Sequence, residues 1–66
     1  MRFECEFQHP KTGERRTIAA QLTADEVTHA GGTDLYLFAY ALRHAHREAP
    51  AGFLHIANGV RRIAMN

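Results

Sequence analysis

The stretch 1-MRFECEFQHPKTGERRTIAAQL-22 decides what kind of fold this chain can make. Its first nine residues alternate strictly. Met1, Phe3, Cys5 and Phe7 fall on one face, and Arg2, Glu4, Glu6 and Gln8 on the other. A period of two over that length is a half-buried strand. Pro10-Lys11-Thr12-Gly13 follows as a turn, with proline presetting one dihedral and glycine free to take positive φ. Ile18, Ala20 and Leu22 then share one face of a second strand.

A four-residue loop sets His9 against Glu14. Counting back from there pairs Phe7 with Arg16, Cys5 with Ile18, Phe3 with Ala20 and Met1 with Leu22. Gln8 meets Arg15 and Glu6 meets Thr17 on the opposite face. Both apolar faces coincide, as a correct register requires. The chain therefore starts with an antiparallel hairpin.

Downstream, Thr23-Ala24-Asp25-Glu26 reads as a capping box, opening a short helix over about residues 24–30. Gly31-Gly32 ends it. Thr33 or Asp34 starts a second helix that runs to about Ala49, where Pro50 and Gly52 stop it. At 1.5 Å per residue this helix spans about 24 Å, the length of a seven- or eight-residue strand. One long helix can thus lie across one sheet.

The tail, 53-FLHIANGVRRIAM-65, contains Asn58-Gly59, the strongest short hairpin signal. That turn pairs Ala57 with Val60, Ile56 with Arg61 and Leu54 with Ile63. It puts Leu54, Ile56, Ile63 and Met65 on the core face and Phe53, His55, Val60, Arg62 and Ala64 on the other. The expected fold is α+β in the order β-β-α-α-β-β. It is an antiparallel sheet of two hairpins, with a short helix and one long helix packed on one face. Strand order is not readable from these patterns.

At about 100° per residue, Leu35, Phe38, Leu42, Ala45, Ala49 and Ala39 form the expected core stripe of the long helix, and His46 falls inside it. His44 falls directly opposite. The histidines of 42-LRHAHREAP-50 therefore cannot share a ligand; metal-binding histidines on a helix sit three or four apart. A second stripe gathers Tyr36, Tyr40, Arg43 and Arg47 within about 60° of arc, with Leu37 and Ala41 as an apolar margin.

The chain has 66 residues, one cysteine and a net charge of +1. That is a single domain, residues 1–66, burying only about 60% of its unfolded surface. One cysteine excludes an internal disulfide and a multi-cysteine zinc site. Residues 1–42 carry four basic and six acidic side chains, and residues 43–66 carry four basic and one acidic. The C-terminal part is mildly basic, far from a dense basic stripe. No apolar run approaches the roughly 18 residues of a membrane span, and the N-terminus has no signal-peptide core. A cytoplasmic location is expected, with Cys5 reduced and buried.

Catalytic chemistry is sparse. There is no serine, Cys5 sits among apolar neighbours, and Glu4 and Glu6 lie on an open strand face. His9, His29, His44, His46, His55 and Cys5 form no zinc-ligand pattern. No enzyme activity, cofactor, metal or membrane partner is expected. The leading expectation is a non-catalytic protein-interaction or homodimerisation module, with Tyr36, Leu37, Tyr40, Phe53 and Val60 as its interface. The second is an anion- or nucleic-acid-binding module. It would use Tyr36, Tyr40, Arg43 and Arg47, joined by Arg61 and Arg62 from the tail.

Overall fold

The structure is a computed structural model that describes residues 1–63. Strands β1 (Arg2–Gln8) and β2 (Arg15–Gln21) form the first hairpin. Their register is the one the paired faces demand, with Cys5 opposite Ile18 and Phe3 opposite Ala20. The turn is closed by the His9 amide donating to the Glu14 carbonyl at 2.8 Å. His9 Nδ1 accepts from the Lys11 and Thr12 amides at 3.1 and 3.3 Å.

Helix α1 (Ala24–Ala30) opens on the capping box. The Glu26 amide donates to Thr23 Oγ1 at 3.1 Å, and the Thr23 amide donates to Glu26 Oε1 at 2.8 Å. It closes on Gly31 in the left-handed region. Helix α2 (Asp34–Glu48) follows at once and ends before Pro50. Helix α2 packs across all three strands and α1 packs on α2. The α+β class and the antiparallel sheet follow as expected.

The tail departs from expectation. Asn58-Gly59 does not reverse the chain. Residues Leu54–Ile63 form one strand, β3, antiparallel to β1. The sheet has three strands in the order β2-β1-β3, with no second hairpin among the described residues. Phe7 lies opposite His55 and Cys5 opposite Val60. Between those pairs β1 spends one residue, Glu6, where β3 spends four, Ile56 to Gly59. The Asn-Gly pair makes a bulge. Asn58 takes the positive φ of 62°, and Gly59 passes so close to Ile56 that a Cβ there would lie 2.8 Å from its carbonyl oxygen. Two four-residue arms folded on each other would leave the second edge of β1 without hydrogen-bond partners. Running alongside β1 satisfies that edge and makes β1 central.

The same pairing inverts the faces assigned to the tail. His55 and Val60 lie opposite buried Phe7 and Cys5 and so face the helices, whereas Leu54, expected in the core, is 61% exposed. Phe53 and Val60, expected at an interface, pack against the core. The rings of His9 and Phe53 meet edge to face at 5.4 Å, and the Arg16 guanidinium lies 5.6 Å from the Phe53 ring centre. Met65 and Ala64 lie outside the described residues.

Helix α2 is also rolled about its axis relative to the expected stripe. Leu37, Ala41 and Ala45 are buried, whereas Leu35 is 73% exposed. Leu37, an expected interface residue, is therefore a core residue. Alanines at the point of closest approach let the helix backbone settle onto the sheet. Phe38 and Leu42 then reach in from one flank, and Phe38 meets Phe3 edge to face at 5.7 Å. His46, expected inside the core stripe, is exposed and only brushes Phe7 with its ring edge. His44, expected to point away, is half-buried against α1.

Candidate functional site

Two grooves flank α2, and they share no lining residue. The first, of about 560 Å³, runs between residues 17–21 of β2 and His44, Arg47 and Glu48 at the end of α2. Strand β2 is the edge of the sheet. At one end of the hairpin the His9 amide donates to the Glu14 carbonyl, and at the other the Leu22 amide donates to the Met1 carbonyl. Residues directly opposite each other alternate between hydrogen-bonded and non-bonded pairs in an antiparallel ladder. Arg16, Ile18 and Ala20 therefore turn their backbone groups toward β1. Thr17, Ala19 and Gln21 turn theirs outward, into the groove.

That edge carries no proline and no lysine, and its charged residues, Arg15 and Arg16, sit together at its start. The opposite wall of the groove carries one positive and one negative side chain, Arg47 and Glu48. Among the described residues neither has an ion-pair partner. His44 is fixed at its inner side, with Nε2 2.9 Å from both oxygens of Glu26. The Thr23 amide first, and the His44 ring second, hold the Glu26 carboxyl below the usual glutamate range.

The second groove, of about 400 Å³, lies between α1 and α2 and is lined by His29, Tyr36, Ala39, Tyr40 and Arg43. Tyr36, Tyr40 and Arg43 belong to the stripe read on the helical wheel, and the structure brings them together on one wall. His29 completes the site from α1. Its Nδ1 donates to the Asp25 carbonyl oxygen at 2.8 Å, which leaves Nε2 available to a ligand. Among the described residues no carboxylate lines this groove and Arg43 has no ion-pair partner.

The remaining stripe residues separate. Arg47 lines the β2 groove instead. Arg61 lies on the open face of the sheet, held by Glu4 at 3.1 Å and Glu6 at 3.3 Å, and these two carboxylates raise its pKa further. Arg62 lies opposite Phe3 on β3. Neither lines the groove that holds the tyrosines.

Reactive chemistry does not converge. Among the described residues no three of histidine, cysteine, aspartate and glutamate could hold a metal ion together. Cys5 is fully buried, and burial pushes its thiol up and away from the reactive thiolate. His55 Nε2 is buried behind Phe7 without a hydrogen-bond partner. No helix among the described residues is long and apolar enough to cross a membrane.

Two features escape a reading of the chain alone. His29 joins the tyrosines only through the packing of α1 on α2, which no periodicity records. The β2 groove depends on strand order. No protein-family model, curated protein or solved structure matches this chain.

Proposed function

We propose that the chain is a non-catalytic homodimerisation module that joins two copies through their β2 edges. The observation that carries this reading is the outward set of backbone groups on Thr17, Ala19 and Gln21, open along a groove whose far wall is α2. Strand addition to such an edge supplies main-chain hydrogen bonds directly.

A second copy is the occupant that fits the edge best. With the two β2 strands antiparallel about a two-fold axis at Ile18, Thr17 of one copy lies opposite Ala19 of the other. Arg15 then lies opposite Gln21, and Arg16 opposite Ala20. No like charges oppose each other in this register, which is the condition for a favourable cross-strand face. Each copy brings one arginine and one glutamate, Arg47 and Glu48, along the groove, so the two walls together carry no net charge. The product is a six-stranded sheet whose outer edges are the bulged β3 strands, a poor template for further growth. Pairing also adds buried surface to a chain of only 66 residues, which is short of core on its own.

Light scattering on the purified chain tests this. The expected mass is twice 7.4 kDa, and a strict monomer at about 0.5 mM, a concentration that detects even weak association, overturns the reading. Ala19→Pro gives the control. It removes an outward amide and leaves the β1 ladder intact, since proline is tolerated on an edge strand where its nitrogen faces solvent. The variant is expected to stay folded and become monomeric.

A further inference from the structure

We infer that the groove between α1 and α2 binds a nucleotide unit, its base stacked on Tyr36 and Tyr40 and its phosphate held by Arg43. Three observations converge on that chemistry. The groove's volume of about 400 Å³ falls in the usual range for small-ligand sites, about 300–1,000 Å³. Its wall presents two phenol rings one helical turn apart, Tyr40 half-buried against the core and Tyr36 open to solvent, with Ala39 beside them adding nothing beyond a methyl group. Tyr36 is 58% exposed, a large aromatic surface left to solvent.

Charge selects the rest of the ligand. Among the described residues no carboxylate lines the groove beside Arg43 or pairs with it, which leaves its guanidinium available to an anionic group of a ligand. A guanidinium binds phosphate through paired N–H donors in a geometry that lysine cannot reproduce. His29 presents Nε2, which its bond to Asp25 does not use, for a hydrogen bond to a base edge. Aromatic stacking beside a phosphate donor is the combination that holds single nucleotides without a sequence code.

The site is independent of strand pairing at β2, because the two grooves share no residue. A monomeric chain would retain it, and a dimer would carry it twice. Failure of one proposal therefore leaves the other standing.

The nucleotide can come free or as part of a single strand, and one titration separates the two. Adenosine monophosphate, adenosine, ribose 5-phosphate and a short single-stranded oligonucleotide are each added to the full chain while the Tyr36, Tyr40 and His29 resonances are followed. The expected result is saturable binding of the monophosphate at least about fivefold tighter than adenosine or ribose 5-phosphate, the lower end of what one stacked base contributes. Binding of the oligonucleotide that is tighter still and falls steeply with salt identifies a strand as the source; equal or weaker binding identifies the free nucleotide.

Arg43→Gln is expected to reduce monophosphate affinity to that of adenosine, and Tyr36→Ser to weaken it at least about fivefold while Tyr40 keeps part of the base contribution. Both positions are exposed, so an unchanged amide spectrum elsewhere verifies the fold. No saturation at about 10 mM monophosphate, weaker than the millimolar scale of the feeblest specific complexes, overturns the proposal. Equal affinity for ribose 5-phosphate and the monophosphate does so as well, because the ring then contributes nothing.

Discussion

His44 on α2 closes on Glu26 on α1 with its Nε2 2.9 Å from each carboxylate oxygen. The same carboxylate accepts the Thr23 amide of the capping box at 2.8 Å. One side chain thus starts the short helix and ties it to the long one. Seven residues are too few to make a helix stable in isolation, so α1 depends on this anchor and on burial of Ala30.

Glu26→Gln separates these two roles. Glutamine still accepts the Thr23 amide but carries no charge toward His44. Glu26 is held below the ordinary carboxylate range, by the Thr23 amide first and by His44 second. A carboxylate lowered in the folded state stabilises the fold at every pH above its ordinary value of about 4.3. That contribution is lost as pH falls through the folded-state value. Urea unfolding at pH 7 is expected to show the variant about 1 kcal/mol less stable, between an exposed ion pair and a well-formed charged hydrogen bond. As pH falls below about 4.3 the two proteins should begin to converge, and converge fully only below the lower folded-state value. A constant difference across the acid range would assign the effect to lost packing.

Gly59→Ala tests the bulge. A Cβ at position 59 would stand 2.8 Å from the Ile56 carbonyl oxygen and 3.1 Å from Glu6 Cβ, and backbone cannot yield as a flexible side-chain tip can. The expected cost is about 1–3 kcal/mol, that of forcing an extra methyl into a packed site. Asn58→Gly, at a positive φ of 62°, should be tolerated. If Gly59→Ala melted at the wild-type temperature, β3 would not follow the path described.

These two sites show why one end of the chain is legible and the other is not. The first hairpin is over-determined: an alternating strand, a proline-glycine turn and two faces that match in only one register all lie within 22 contiguous residues. Thr23 and Glu26 likewise solve a local problem with local groups. Asn58-Gly59 carries an equally local signal, but its outcome is decided by β1, some fifty residues away, whose free edge outcompetes a four-residue hairpin. Once β3 pairs with β1, the face of every tail residue is reset, and Leu54 and Val60 exchange roles.

The roll of α2 is opaque for a related reason. A helical wheel weights the largest apolar residues, whereas the sheet selects the smallest at closest approach, Ala41 and Ala45. Tyr36, Tyr40 and Arg43 of the tyrosine-arginine stripe stay together through the roll because they lie on one face whichever way the helix turns. What the wheel cannot supply is the opposite wall, and so His29 and the separation of Arg47 from Arg43 emerge only from the packing.

Leu35 and Leu37 provide the sharpest test of that roll, because the wheel and the structure give them opposite roles. In the structure Leu37 is 2% exposed and Leu35 73% exposed. Leu37→Ala leaves a void beneath α2 and is expected to cost about 2–5 kcal/mol. A 66-residue chain has a total stability of about 3–10 kcal/mol at 0.05–0.15 kcal/mol per residue. The variant should therefore be close to unfolding at room temperature, with a sharply lower denaturation midpoint. Leu35→Ala, on a face open to water, should shift stability by no more than about 0.5 kcal/mol. Parallel urea denaturation followed by circular dichroism measures both. If Leu35→Ala proved the damaging substitution, the helix would present its other stripe to the sheet. The tyrosine groove, defined by the present orientation of α2 against α1, would then have to be redrawn.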